Sequence, residues 1–260
     1  MSGSPPARSA ADRLLDVLGA FEQAHPTLTL TQIARRADLP LPTAHRLVGA
    51  LADWGALERT EDGRYHVGLR LWEVAALAPR GVGLRQAAMP FLEDLYETTH
   101  ENVQLAVRDG LEVVYTERIS GRSAVGVRSR VGARWPLHAT GVGLVLLAYG
   151  DAALQDRYCA GRLAAFTPFT VTAPAQLRRM LAEVRHSGSV VSDRQVTDDA
   201  LSVAAPVRGP RGEVVAAVSV VVPVAGAQTP ALVPAVRVAG LGISRALGWQ
   251  PVPGRAGTSA

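Results

Sequence analysis

Residues 28–67, which read LTLTQIARRADLPLPTAHRLVGALADWGALERTEDGRYHV, constrain the fold more than any other segment of the chain. Thr29 and Gln32 have the spacing of a capping box, in which the Thr hydroxyl accepts an N–H of the first helical turn and the Gln reaches back to the cap. The apolar residues that follow fall on one helical face; they are Leu30, Ile33, Ala34 and Ala37. A short amphipathic helix is therefore predicted to begin after Thr29.

A second amphipathic helix is predicted after a tight turn. The pattern breaks at Asp38-Leu39-Pro40, because a residue before proline is steered away from the helical region. Pro42 suits the first turn of the next helix, where its missing N–H costs nothing, and Gly55 is a C-terminal stop. The predicted buried stripe of this helix consists of Ala44, Leu47, Val48, Leu51 and Trp54.

The opposite face of the second helix has the character of a DNA-reading surface. At about 100° per residue, Arg46 points directly away from the buried stripe, with Thr43 and His45 at the flanks. Gly49, Ala50 and Asp53 share the side of Arg46, and this face is small and flat. Such a face fits the major groove, which is wide enough to admit a helix.

A hairpin follows at the distance expected of a wing. Asp62-Gly63 is a two-residue hairpin signal between candidate strands 57–60 and 64–67. Arg59 and Arg64 are then placed to meet DNA phosphates. The alternative is a helical hairpin that merely packs within the protein, and the wing favours DNA binding instead. The predicted DNA contacts are Arg35, Arg36, Thr43, His45, Arg46, Arg59 and Arg64.

The composition bounds the class of protein. The chain has 260 residues, 48% of them hydrophobic, which is enough for two domains with a sizeable core. No apolar run is long enough to span a bilayer, and the N-terminus lacks the apolar core of a signal peptide. Cys159 is the only cysteine, which excludes an intrachain disulfide and a cysteine-rich zinc site. We expect a cytoplasmic protein with no membrane partner and no cofactor.

The basic residues are all arginine, so chemistry that needs a lysine is excluded: Schiff bases, P-loop lysines and Ser-Lys dyads. The formal net charge is +4, and the acidic residues of the N-terminal segment offset its arginines. DNA binding must therefore depend on where individual arginines lie and not on bulk charge.

The predicted organisation is a winged helix-turn-helix domain at 9–67, a linker helix and joint at 68–83, a second domain at 84–249 and a disordered tail at 250–260. Residues 1–8 are also expected to be disordered. The second domain has predicted helices at 84–98, 141–149, 175–186 and 232–247, and predicted strands at 103–107, 112–117, 123–130, 203–207 and 214–222. Helices packed on an antiparallel sheet indicate an α+β sensor domain.

The segment WPLHATGVGLVLLA, residues 135–148, is the most suggestive part of the second domain. Thr140 is positioned to cap a helix, which leaves the N–H groups of Gly141, Val142 and Gly143 to face an anion with help from the helix dipole. An ordinary capped helix beneath the sheet explains the same residues, so both interpretations stay open here.

Three motifs together carry a family resemblance: PTAHRL in the second helix, PLHATGVG at the capped helix, and LSVAAPVRGPRGEVVAAVSV near the end. With them the chain resembles the IclR family of bacterial transcriptional regulators, from the first helix to about Trp249. The resemblance implies a winged helix-turn-helix joined by a linker helix to an effector-binding domain of GAF-like topology. It also implies dimers, often paired into tetramers, that bind double-stranded operator DNA.

The resemblance further implies a small effector, often a carboxylic acid, in the second domain. The backbone of Gly141 and Val142 then takes the role of binding the oxyanion. Ser202 stands where other members place a Cys or Ser that lines the pocket, and Ser219 stands at a pocket hydroxyl. The alternative for both serines is a satisfied hydroxyl within a strand.

Three departures from the family pattern bear on the effector. Val221 replaces a second hydroxyl of members that bind glyoxylate-like acids. Ser192 falls where such members have an Asp, although Asp193 is adjacent. Ala200 replaces a common Gly. These departures favour an organic acid that is less polar than glyoxylate.

An enzyme is the alternative class. The chain has no G-x-S-x-G elbow and no H-E-x-x-H motif. His138, Asp193 and Ser219 include the residue types of a hydrolase triad, and the sequence leaves their geometry open. Asp198-Asp199 is a lone acidic pair, more typical of a solvated turn than of a metal site.

Overall fold

A computed structural model describes residues 8–22, 24–77, 82–121, 126 and 130–250. The chain divides into two compact units, Met1–Val82 and Gly83–Ala260. The predicted strand at 123–130, apart from residues 126 and 130, lies outside the described residues, as do residues 1–7, most of the joint and the tail from 251. No helix of the described residues is long and apolar enough to cross a membrane.

Within its described residues, the first unit contains four helices and a three-stranded sheet of order β1–β3–β2. The elements are α1 (Ala10–Gly19), β1 (Thr27–Leu28), α2 (Leu30–Arg36), α3 (Leu41–Trp54), β2 (Leu57–Arg59), β3 (Tyr65–Val67) and α4 (Leu69–Ala75). The capping box is confirmed, since Thr29 N–H donates to Gln32 Oε1 at 2.8 Å and Gln32 N–H donates to Thr29 Oγ1 at 3.3 Å. Gly55 ends α3 in the left-handed conformation with φ 84°.

Two details of this unit differ from the prediction. Trp54 is 42% exposed and not buried, and the guanidinium of Arg70 lies over its ring, 4.7 Å from the centroid. The wing turn is centred on Glu61-Asp62, one residue before the predicted Asp62-Gly63. Gly63 N–H donates to Thr60 O at 2.9 Å, and Thr60 N–H donates to Arg64 O at 2.8 Å. Gly63 thus follows the turn, with φ 81°.

Residues 1–8 were predicted to be disordered, but Arg8 is ordered and makes hydrogen bonds within the first unit. Its guanidinium donates to the carbonyl of Ala37 at 3.3 Å, to that of Asp38 at 3.0 Å and to the Asp38 carboxylate at 2.7 Å. Asp38 is the residue in the left-handed conformation, φ 52°, between α2 and α3. Arg8 therefore ties the start of α1 to the turn between these two helices.

The described part of the second unit is a six-stranded antiparallel sheet of order β6–β5–β4–β9–β8–β7 with helices on both faces. Its strands are β4 (Asn102–Asp109), β5 (Glu112–Ile119), β6 (Arg134–Pro136), β7 (Val190–Asp193), β8 (Ala200–Arg208) and β9 (Val214–Pro223). Its helices are α5 (Val82–Thr99), α6 (Gly141–Ala148), α7 (Ala152–Ala160), α8 (Pro174–Ser187) and α9 (Thr229–Ala246), with a short 3-10 turn at Leu137–Ala139.

Two apolar cores lie on the two faces of this sheet. Residues of α6, α7 and α8 pack on one face against Val113, Tyr115 and Ala204. Residues of α5 and α9 pack on the other face against Leu105, Val203 and Val220. The structure confirms an α+β fold. Strand β7 and helix α7 have no counterpart in the sequence prediction, and α5 and α9 run on through Pro90 and Pro234.

Candidate functional sites

The outward face of α3 carries exposed polar side chains. His45 and Arg46 are exposed and Thr43 is half-buried. Arg46 has no hydrogen bond or ion pair within the described part of the chain. An unpaired guanidinium on a helix with small neighbours has the freedom to contact a guanine edge in a major groove.

The other predicted DNA contacts differ in how exposed they are and in whether they already have a partner within the protein. Arg35 is exposed. Arg36 is held within the unit, since its Nη1 donates to Ala20 O at 3.4 Å and lies 3.7 Å from a Glu22 carboxylate oxygen. On the wing, the guanidinium of Arg59 lies 5.8 Å from the Tyr65 ring centroid. Arg64, also on the wing, has an exposed ion pair with Asp62 at 3.2 Å. Arg36 is therefore the predicted contact least available to DNA.

A cavity lies in the second unit between α6 and the end of the sheet formed by β7, β8 and β9. It encloses about 500 Å³, its opening to solvent included. Ser192, Ser202 and Val221 face one another across these three strands and line it. The lining residues are Gln104, Tyr115, Trp135, Ala139, Thr140, Gly141, Ser192, Gln195, Val196, Thr197, Ala200, Ser202 and Val221. We call this cavity the effector pocket, after the role that the family resemblance implies for Gly141 and Ser202.

The start of α6 forms one wall of the effector pocket. Thr140 Oγ1 accepts the Gly143 N–H at 3.1 Å and so caps the helix as predicted. The N–H groups of Gly141 and Val142 have no acceptor within the described residues. A Cβ on Gly141 would lie 2.7 Å from Ser202 Oγ. Gly141, the first residue of the helix, therefore lies against the Ser202 side chain.

The pocket is polar without being ionised. None of its lining residues is Asp, Glu, Arg or His. Burial raises the pKa of the Tyr115 phenol above its usual range, against the smaller opposing effect of a hydrogen bond with Thr140. The phenol therefore stays neutral and can donate a hydrogen bond. An anion in this pocket meets only neutral donors and the helix dipole.

Three residues that the sequence assigned to the effector do not line the pocket. The Val142 side chain packs in the core. Asp193 lies on the alternate face of β7 from Ser192 and is paired with Arg194 at 2.9 and 2.8 Å. Ser219 is fully buried and its Oγ has no hydrogen-bond partner within the described part of the structure. The cross-strand partners of Ser219 are Gln104 and Ala204.

The sequence interpretation missed several lining residues. They are Gln104, Tyr115, Trp135, Thr140 as a wall residue, and 195–197. Strand alternation assigns Gln104 to one face of β4, but only the order of strands in the sheet brings that face under α6.

The hydrolase alternative is not supported by the geometry. His138 Nε2 donates to Ala164 O at 2.9 Å, so Nδ1 is the acceptor of the Tyr158 hydroxyl at 2.8 Å. Burial lowers the pKa of His138. Both ring nitrogens are thus occupied by partners other than Asp193 and Ser219. The described residues also contain no cluster of His, Cys, Asp and Glu that could hold a metal ion.

Two family profiles match the chain. Residues 10–61 match the IclR helix-turn-helix domain, and residues 77–245 match the bacterial transcriptional regulator IclR C-terminal domain. Together the two matches cover most of the described residues.

Individual relatives agree with the profiles. The chain is 31% identical over 249 residues to the HTH-type transcriptional regulator XynR of Escherichia coli, covering 94% of this chain and 99% of that protein. It is similar to an IclR homolog from Microbacterium hydrocarbonoxydans solved in complex with 4-hydroxybenzoate, at 38% identity and TM-score 0.87, covering 92% of this chain and 99% of that one. The Thermotoga maritima IclR structure is 25% identical with TM-score 0.76, over 92% and 98% of the two chains.

Proposed function

Because this chain belongs to the IclR family of bacterial transcriptional regulators, we propose that it binds a partly palindromic operator as a homodimer or tetramer. We further propose that a small organic acid in the effector pocket changes its affinity for that operator. The first unit supplies the DNA contacts and the second unit supplies the pocket.

The observation that carries the effector proposal is the start of α6. Within the described residues the N–H groups of Gly141 and Val142 are unpaired at the start of α6, and Gly141 lies against Ser202, so backbone donors and a hydroxyl are available to a carboxylate at this helix terminus. A helix terminus contributes at most about 2 kcal/mol to an anion, so moderate affinity is expected. Val142 acts here through its backbone only. Asp193 and Ser219 are left out of the proposed ligand set.

The rest of the pocket favours an acid with a flat apolar body. Trp135 and Tyr115 offer aromatic surfaces, and Val196 and Val221 offer aliphatic ones. A small polar acid such as glyoxylate uses none of this surface. The complex of the similar Microbacterium protein with 4-hydroxybenzoate supports an aromatic acid.

The effector test compares three acids: 4-hydroxybenzoate, benzoate and glyoxylate. Each is titrated calorimetrically into wild type, Ser202→Ala and the exposed control Ser120→Ala. Loss of one hydrogen bond to a charged group predicts about tenfold weaker binding of the aromatic acids by Ser202→Ala, and no change in Ser120→Ala. Operator affinity is then measured with each bound acid. Aromatic acids that bind no better than glyoxylate, or that leave operator affinity unchanged, contradict the proposal.

The DNA test concerns Arg46. Arg46→Ala should lose about 1–3 kcal/mol of specific operator binding, because Arg contacts a guanine bidentately. Arg162→Ala, an exposed change of equal charge in the second unit, is the control. Equal operator affinity of the two variants in a fluorescence-anisotropy titration would remove Arg46 from the interface.

A further inference from the structure

A second cavity lies at the other end of α6. Strand β7 pairs with β8 only from Leu201 to Ala204, so no strand of the described chain covers the outer edge of β8 beyond Ala204. The cavity at this edge encloses about 710 Å³, its opening to solvent included. It is lined by Tyr149, Gly188, Ala205, Pro206, Arg208, Arg237, Leu241, Ser244 and Trp249. It shares no lining residue with the effector pocket.

Arg208 is held rigidly at one side of this cavity. Its backbone N–H donates to Ser244 Oγ at 2.8 Å, and its Nη1 donates to Gly212 O at 2.9 Å. Its guanidinium lies 4.9 Å from the Tyr149 ring centroid and 5.9 Å from the Trp249 ring. Flanking rings and a carbonyl orient the charge without neutralising it.

Arg237 brings a second positive charge from α9. It is exposed, and a Cβ on Gly188 would lie 4.0 Å from both its Nε and its Nη2. Within the described residues neither Arg237 nor Arg208 has a carboxylate partner, and no Asp or Glu lines the cavity. Two guanidinium groups with no counter-charge therefore face one concave space.

We infer that this cavity is a second ligand site, which binds a compact dianion such as a phosphate group or a short dicarboxylate. Two like charges at a cleft raise the local concentration of anions, and the planar guanidinium matches the oxygens of carboxylate and phosphate in pairs. The effector pocket, in contrast, offers only neutral donors. A ligand with one charge and a large apolar body suits the effector pocket, whereas a small ligand with two charges suits the Arg208–Arg237 cavity.

The test uses the full chain and two probes, sodium phosphate and sodium succinate, in chloride buffer at constant ionic strength. Binding is followed by calorimetry on wild type, Arg237→Gln and Arg245→Gln. Arg245 lies on the same helix, is exposed and does not line the cavity, so it is a matched control. Saturable binding is expected for at least one probe, weakened about tenfold by Arg237→Gln because a charge-assisted pair is lost. Arg245→Gln should bind as wild type does.

Two further variants keep the result interpretable. Arg208→Lys retains the charge but loses the paired geometry, and should also weaken binding. Ser202→Ala in the effector pocket should leave it unchanged. The inference is overturned if neither probe saturates, if Arg245→Gln weakens binding as much as Arg237→Gln, or if Ser202→Ala abolishes binding, which would place the probe in the effector pocket. None of these results depends on whether an aromatic acid binds in the effector pocket, so this inference and the proposed effector can fail separately.

Discussion

Gly141 lies so close to Ser202 that a Cβ at position 141 would sit 2.7 Å from the Ser202 hydroxyl oxygen. Real side chains do not approach this closely, so a larger residue would force α6 away from β8 or rotate the serine. The same contact places the hydroxyl next to the first residue of α6, whose N–H is unpaired in the described part of the chain. Packing and the proposed ligand chemistry therefore depend on one glycine.

Gly141→Ala should destabilise the second unit by about 1–3 kcal/mol, the usual cost of overpacking a buried site. Adding Ser202→Gly should recover part of this loss, because the two nearest atoms are then gone and the Ala204 Cβ lies at 3.4 Å. The check is a double-mutant cycle in urea. Gly83→Ala is the control, since nothing lies within 4 Å of a Cβ there. Additive effects at 141 and 202 would show that the contact carries no strain.

Arg35 and Arg36 are adjacent and should respond differently to replacement by alanine. Arg35→Ala should weaken operator binding without changing the melting temperature, because Arg35 is exposed. Arg36→Ala should lower stability by about 0.5–1.5 kcal/mol, since it removes the hydrogen bond to Ala20 O. Anisotropy titrations paired with thermal melts separate the two effects. Weaker operator binding by Arg36→Ala with an unchanged melting temperature would return this residue to the DNA interface.

His138 should make the protein less stable in mild acid. Burial lowers its pKa in the folded state below the unfolded value of about 6.5. As the pH falls, the unfolded chain therefore takes up the His138 proton before the folded protein does. The free energy of unfolding consequently decreases below about pH 6.5. Denaturant titrations at pH 7.5 and 5.5 should show a smaller loss for His138→Gln than for wild type. Equal losses in both proteins would mean that other groups cause the dependence.

The exposed apolar side chains of α4 and the residues after it should form a contact between protomers. Leu69, Trp72, Val74 and Leu77 are 64%, 59%, 51% and 81% exposed. An apolar surface of this kind marks an association site. Leu71, also on α4, instead packs against the core of the first unit.

The double variant Trp72→Arg/Leu77→Ser should therefore be monomeric at concentrations where the wild type is dimeric. Sedimentation velocity at micromolar concentration measures this. The control is Leu111→Ser, at a 44% exposed residue of the second unit. A wild type that sediments as a monomer would contradict both this surface and the proposed homo-oligomer.

The sequence was sufficient to predict features that depend only on contacts between residues close together in the chain. The Thr29–Gln32 box, the Thr140 cap and the Gly55 stop each involve residues within one turn of one another, and the structure confirms all three. The apolar spacing of α3 correctly identified Ala44, Leu47, Val48 and Leu51 as buried. Motif order along the chain was enough to indicate the family.

Tertiary structure decided the remainder, because contacts across strands and between helices have no fixed spacing in sequence. Ser202 and Ser219 look alike in their strands, but the pairing of β8 with β7 and β9 brings only Ser202 into the effector pocket. Trp54 satisfies the helical pattern yet is exposed, and its ring contacts Arg70 of a different helix instead of the core. Local patterns in the sequence identified most of the helices and strands, whereas the order of strands in the sheet determined which side chains line the pocket.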